Sequence, residues 1–341
     1  MRLSRTWRRL RQRPIASSAF ATGVAAVAVF AIAQATGGHA VSRAFIDVDP
    51  GWIALIAVAA FVVYPAYVIA YRSIACVHGH APLALPLVAR VVVAGFGPFA
   101  IGGGFGIDKQ ALHALHEDER SARVRVLALG TLEWAVLAPV ACGVSIALLA
   151  SGAKIHGSLL WPWAIAVPLG FGFGLWISKP GRGERLTRLH GQRLDWLARL
   201  LEGVGVLHTL IRNPRRYAGA WLGTTLYWAA DISAFYGGLR AFGLDPAVGV
   251  VILAYATGYI ATRRSLPLGG AGITEVLMIF SLSWLGEPLA QALAAVVAYR
   301  VFNFLLVATP ALIARRQMEP LLARADLLHR RDRAIKRAAE R

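Results

Sequence analysis

Gly103-Gly104-Phe105-Gly106-Ile107-Asp108-Lys109 and Gly269-Gly270-Ala271-Gly272-Ile273-Thr274-Glu275 repeat one pattern, once in each half of the chain. A proline lies a few residues upstream of each (Pro98, Pro267), each runs on into a helix-like apolar stretch, and each ends on ionisable side chains. Backbone N–H and C=O groups cannot stay unpaired in hydrocarbon, so a Gly/Pro break at membrane depth survives only where protein or a wet cavity satisfies it. Matching interrupted segments in two halves are also how many transporter sites are built. The pattern therefore reads as a pair of broken or re-entrant helices. Close helix packing is the other reading, because glycine supplies 34 of 341 residues and is common in membrane helices.

The composition agrees with a membrane setting. Hydrophobic residues make up 57% and charged residues 16%, with a mean hydropathy of +0.56; a soluble domain carries about 25% charge. The expected fold is all-α: a polytopic membrane helix bundle of about eight transmembrane helices plus the Gly/Pro-broken segments. Spans are read at 17–36, 51–71, 125–150, 159–178, 217–242, 247–262, 271–286 and 289–314, with 84–107 as an interrupted segment. The first span looks like an uncleaved signal anchor, since its apolar run from Ala16 to Ala35 exceeds the ~7–15 residues of a secretory signal. Two cysteines, Cys76 and Cys142, form no disulfide framework or zinc pattern.

The net charge of +18 is not spread as a nucleic-acid footprint. Three segments, 1–16, 179–216 and 315–341, hold 24 of the 36 Lys and Arg. Short basic segments beside membrane helices mark the cytoplasmic face. If 84–107 dips in and returns, all three fall on that side, and both termini are expected in the cytoplasm of a cell-membrane protein. Residues 17–314 then form the membrane domain. Within 181–212, Leu186, Leu189, Leu194, Leu197, Leu200, Leu201 and Val204 recur at helical spacing among arginines; this is either a surface amphipathic helix or a linker helix packed on its neighbours. The tail 318–341 reads as a solvated helix.

Ionisable groups inside spans are costly, so they face a cavity or one another. The candidates are Arg90, Asp108, Lys109, Glu133, Asp231, Arg263, Arg264, Glu275 and Arg300. Arg300 lies mid-span, where it cannot snorkel, and Glu275 is its expected partner. Asp231 has either a proton- or cation-linked role or serves as helix glue through Ser233 or Tyr236. Glu133 is read as shallower. Arg90 and Arg300, with the N–H groups of Gly103, Gly104, Gly106, Gly269, Gly270 and Gly272, suit a phosphate head group. The pairs His78/His80 and His113/His116 offer a weak metal pattern, with His116 set in a charged loop; no metal and no cofactor are expected. Walker, nucleophile-elbow and His-Glu-x-x-His patterns are absent from the sequence, so no enzyme activity is expected.

Leu266-Pro267-Leu268-Gly269-Gly270-Ala271-Gly272-Ile273-Thr274-Glu275, followed downstream by Tyr299-Arg300, resembles the transmembrane, flippase-like region of lysylphosphatidylglycerol synthases and their stand-alone relatives. The likeness extends to Pro98 through Leu112 and to Thr131-Leu132-Glu133, covering most of residues 10–315. It implies a bundle with re-entrant segments that moves a lipid with a charged or sugar-bearing head group between leaflets, with Glu275, Arg300 and Glu133 as site residues. The soluble aminoacyl-transferase domain of full-length synthases is not in this chain, so synthesis of lysyl-lipid is not expected of it. Asp108-Lys109 and Arg263-Arg264 depart from the family pattern.

Three functions remain open on the sequence. The first is a flippase-like transporter of anionic, aminoacylated or glycosylated lipid. The second is a membrane scaffold for a separate lipid-modifying enzyme, and the third a proton-coupled solute carrier. Membrane lipid is the expected partner in the first two, and nucleic acid in none.

Overall fold

The computed structural model describes residues 48–77, 83–96, 104–116, 119–152, 157–177, 195–260 and 272–324, with isolated helical positions between Gly23 and Gln34 and at Leu327. Several sequence expectations lie outside these residues: most of the span 17–36, the basic segments 1–16 and 181–194, most of the tail, Pro98, Pro267, His78, His80, Gly103, Arg263, Arg264, Gly269 and Gly270. Among the described residues there is no strand. The helices are α1 (Pro50–Ala75), α2 (Leu85–Phe96), α3 (Gly104–His116), α4 (Glu119–Ala150), α5 (Gly157–Ile177), α6 (Asp195–Arg212), α7 (Ala218–Ala241), α8 (Val248–Tyr259), α9 (Ile273–Trp284), α10 (Leu289–Arg300) and α11 (Ala308–Gln317). A π-helical turn, Val301–Leu305, joins α10 to α11.

Local chemistry sets the helix starts. Asp49 caps α1 by accepting the Gly51 N–H at 2.8 Å, and Pro50 fills a first-turn position where no donor is needed. Gly272 caps α9 with φ +85°, a left-handed conformation that glycine adopts without strain. Among the described residues a helix starts within each glycine cluster: α3 begins at Gly104 and α9 directly after Gly272.

Helix length separates two classes. α1, the α4 segment from Val124, α5 and the continuous Leu289–Gln317 helix are long and apolar enough to cross a membrane. α7, at 24 residues, spans about 36 Å and is equally long. By contrast α2, α8 and α9 have 12 residues and α3 has 13. Twelve residues rise only about 18 Å, well short of a ~30 Å hydrocarbon core. The stretches read as spans at 247–262 and 271–286 are thus half-length legs: α8 ends at Tyr259 and α9 starts at Ile273, directly after Gly272. α2 packs on α3 and α8 on α9, so each pair is a helical hairpin.

The same order occurs twice: long helix, two half-length legs, long helix. The first half is α1–α4; the second is α7–α9 followed by α10, the π-turn and α11. The halves run in opposite senses. Along α7, Gly219 faces Ser73, Gly223 faces Ala66 and Ala70, and Gly237 faces Trp52 and Ile56, so α1 and α7 are antiparallel. Arg72 Nε donates to Leu83 O at 3.2 Å, placing the start of α2 at the Ala75 end of α1. Asp49 N–H donates to Ala241 O at 3.1 Å, placing the end of α7, from which α8 departs, at the opposite end of the bundle. The two hairpins therefore enter from opposite ends. The packing is reciprocal as well: α3 lies on α4 as α9 lies on α10, while α2 packs against α11 and α8 against α4.

α5 and α6 stand outside this repeat. α5 turns Trp161, Ile165, Leu169, Phe173 and Trp176 outward, an apolar face that soluble proteins avoid and lipid accepts. α6 packs on α4 and α5 through buried Val206, Leu207 and Leu210, which favours the packed-helix reading of 181–212 over its described part.

Candidate functional site

The legs end on aromatic rings, and those rings meet at the middle of α7. Phe96, the last residue of α2, packs edge-on to Tyr67 and Tyr227 at centroid distances of 4.8 and 5.8 Å. Tyr259, the last residue of α8, sits 3.4 Å from Tyr227 hydroxyl to hydroxyl and 4.5 Å from the Trp228 ring centroid. Tyr227 is fully buried and touches both tips.

Glu133 of α4 lies within this aromatic shell, 2% exposed. Its carboxylate accepts the Tyr67 hydroxyl at 2.5 Å and the Tyr259 hydroxyl at 3.1 Å, and its backbone carbonyl accepts Trp228 Nε1 at 3.0 Å. The expectation of a shallow Glu133 is corrected here. Nine residues inside the apolar segment from Val124 carry it about 13 Å along the helix axis, to Trp228 at the middle of α7.

Asp231 of α7 is completely buried. It accepts Tyr255 at 2.6 Å, Tyr299 at 3.0 Å and the Asn303 amide at 2.9 Å. These donors differ from Ser233 and Tyr236, the local candidates. At about 100° per residue, position 233 points away from 231, and Tyr236 packs edge-on to Trp52 instead. Asn303 belongs to the π-turn, a helix defect that often marks functional positions.

The expected pair forms: Arg300 Nε donates to Glu275 Oε1, with both residues buried. Glu275 Oε2 also accepts the Gly272 N–H at 2.6 Å. One carboxylate thus ties the glycine break to the mid-span arginine, at the positive end of α9. Pairing matters at this depth, since a lone buried ion costs several kcal/mol, roughly.

Other sequence candidates fall elsewhere. Asp108 is buried on α3, with Lys109 half-buried beside it. Gly104 and Gly106 lie in the first turn of α3, with open space where a Gly106 Cβ would go. Arg90 is exposed on α2. His113 is buried, and His116, expected in a charged loop, is the last residue of α3. No group of three or more metal-ligating side chains occurs among the described residues.

Tyr67, Tyr255 and Tyr259, with Trp228 and Asn303, were not singled out by sequence, and Tyr299 entered only beside Arg300 in the family resemblance. Their signal was depth: Tyr and Trp favour membrane interfaces, so several buried mid-bundle need a reason. Arg125 was also missed; it is 1% exposed and donates to Ala75 O at 3.3 Å, satisfying a carbonyl at the end of α1.

Beside this cluster runs an apolar groove of about 540 Å³ between α4, α5, α6 and α8. Trp134 and Trp163 form its inner wall, stacked at 6.4 Å, with Trp134 against Tyr259 at 5.9 Å. Its polar features include Thr131 and Thr257, the latter accepting Trp163 Nε1 at 3.1 Å.

The family model for the lysylphosphatidylglycerol synthase TM region matches residues 15–311. The chain belongs to this family. No curated protein matches it. Within the matched region lie both hairpins, Glu133, Asp231 and the Glu275–Arg300 pair. Family membership makes the chain an integral membrane protein, in agreement with its long apolar helices.

Proposed function

We propose that this protein is a flippase-like transporter that moves a membrane lipid bearing an anionic, aminoacylated or glycosylated head group, without making or breaking covalent bonds. The observation that carries this reading is the meeting of two half-length hairpins, from opposite ends, at a buried acidic and aromatic cluster beside an apolar groove. An acyl chain would occupy the groove, whose wall is almost wholly hydrocarbon and aromatic. The head group would reach the hairpin tips, where the Arg300 guanidinium offers bidentate geometry to a phosphate and Glu133 accepts donors from an amine or a sugar.

The energetics favour a moving tip over a rigid one. The α8 tip is held by the Tyr259 hydroxyl on Glu133 and Tyr227, each bond worth a net ~0.5–1.5 kcal/mol, and the α2 tip by the ring contacts of Phe96 with Tyr67 and Tyr227. A head group that replaces these bonds one for one can part the tips at small cost. The test is translocation of fluorescent lipids with the three head-group types in vesicles reconstituted with purified protein. Faster leaflet exchange of one type than in protein-free vesicles is expected; exchange of every type at the protein-free rate would overturn the reading.

A further inference from the structure

Each oxygen of the Glu133 carboxylate is held from a different half of the molecule. Oε1 accepts the Tyr67 hydroxyl of α1 at 2.5 Å, and Oε2 accepts the Tyr259 hydroxyl at the tip of α8 at 3.1 Å. With the residue 2% exposed, these charge-assisted bonds do what water does for a carboxylate at a surface. Movement of one half past the other takes at least one of them away. A buried carboxylate stripped of donors is far costlier than a neutral carboxylic acid, so such a group binds a proton instead.

The surroundings favour Glu133 over the other buried acids for this step. α1 brings Tyr67 to it; α7 brings Tyr227 and Trp228, with Asp231 one turn beyond; α8 brings Tyr259, with Tyr255 one turn back. α3 starts one turn away, where Phe105 lies against Gly130, and carries Asp108 and Lys109 further off along α4. On the groove side α5 and α6 bring Trp163 and Leu207, followed by the half-buried His208. Asp231 takes Tyr255, Tyr299 and Asn303 from its own half and keeps them when the halves part. The Tyr227 hydroxyl, 3.4 Å from that of Tyr259, extends the row of hydroxyls leading away from Glu133 and offers a proton a relay.

We infer that Glu133 is a proton-binding site and that the protein exchanges lipid against protons. The inference rests on the lipid-transport reading and adds its energy source. As the halves part, one H⁺ from the water on the side to which they open adds to the carboxylate oxygen left bare, giving a neutral carboxyl group. As the halves close and reopen to the other side, a donor takes that oxygen again and the H⁺ leaves to the water there. A head group that itself donates, through an ammonium or a sugar hydroxyl, occupies the same oxygen and takes the place of the proton. Glu133 therefore carries lipid or proton in turn, and the two cross in opposite directions as the halves alternate. Intramembrane carboxylates serve as proton carriers in other transporters for the same electrostatic reason.

Two readouts on the purified full-length chain test this. The first removes the hydroxyls: the double variant Tyr67→Phe/Tyr259→Phe takes both donors from Glu133. Its infrared spectrum is expected to gain a carboxylic-acid C=O band at neutral pH that wild type lacks and that disappears when Glu133→Gln is added. The single Phe variants, each keeping one donor, supply the same comparison with less change to the fold. No such band in any of them overturns the proton site. The second readout uses vesicles that hold an internal pH dye, a clamped membrane potential, and fluorescent lipids with an amine or a sugar head group. Wild type is expected to move protons out of the acidic compartment when such lipid is present and to enrich the lipid in the leaflet facing that compartment. At one proton per lipid, a gradient of about one pH unit sustains up to about a tenfold enrichment, because both correspond to ~1.4 kcal/mol. Glu133→Gln is expected to lose both effects. Wild-type translocation that ignores the gradient and moves no protons overturns the exchange and leaves transport standing. Absence of translocation by wild type overturns the transport reading and the exchange with it, and the infrared band alone then decides whether Glu133 binds a proton.

Discussion

Glu133 and Asp231 are both buried carboxylates held by tyrosines, yet they join different parts of the molecule. Asp231 on α7 takes Tyr255, Tyr299 and Asn303 from its own half. Glu133 on α4 takes Tyr67 from its own half and Tyr259 from the other. The first arrangement locks α7, α8, α10 and the π-turn into one unit; the second is a joint between units. A transporter whose halves move past one another keeps the first intact and breaks the second in every cycle. In the proposed transport cycle that contrast gives Asp231 to architecture and Glu133 to the moving contact, whereas the sequence separated them only by depth, with Glu133 the shallower.

The largest expected effect tests the locked unit. Asp231→Ala leaves three buried donors without this acceptor, at ~1–3 kcal/mol each before relaxation. Thermal unfolding in detergent should show a severe loss, with little folded protein recovered. Folded, wild-type-like Asp231→Ala would erase the contrast with Glu133. Next comes the Glu275–Arg300 pair. Removing one partner costs ~3–5 kcal/mol, because the other charge stays buried. Glu275→Ala and Arg300→Ala should each lower the melting temperature more than the double replacement by Gln and Met, which removes both charges together.

A smaller effect is expected where the halves touch along α1 and α7. A Cβ at Gly223 would fall 2.5 Å from Ala70 N and 2.6 Å from Ala66 O, so backbone must shift. One at Gly219 would meet side-chain atoms no closer than 3.5 Å. Gly223→Ala should cost ~1–3 kcal/mol and Gly219→Ala almost nothing. Equal melting temperatures for the two would show that α1 and α7 are not closely apposed at Gly223. The smallest effect concerns the joint itself. Tyr67→Phe and Tyr259→Phe each remove one hydrogen bond on Glu133, worth ~0.5–1.5 kcal/mol. Stability should barely change, whereas translocation should change in both.

Much of this was legible from glycine and charge. The two Gly clusters told where helices restart, since backbone physics in lipid leaves few other uses for such a run, and α3 and α9 begin there. The Arg300 partner was legible because a mid-span guanidinium must be paired and Glu275 was the nearest acid downstream of a break. The halves' reciprocal packing was not legible, because it depends on which long helices touch, and α1 meets α7 through small residues with no sequence mark beyond glycine. The donors to Asp231 were missed for a related reason. They come from α8, α10 and the π-turn, and periodicity within α7 carries no information about side chains that approach from other helices.

The decisive observation is lipid translocation by Glu133→Gln, measured per folded protein in reconstituted vesicles beside wild type and Asp231→Asn. Glu133→Gln keeps the size of the side chain and removes its charge at the joint. A well-folded Glu133→Gln with translocation reduced about tenfold or more is expected, against an Asp231→Asn whose loss tracks its loss of folded protein. Wild-type translocation by folded Glu133→Gln would contradict a shared, moving contact at Glu133.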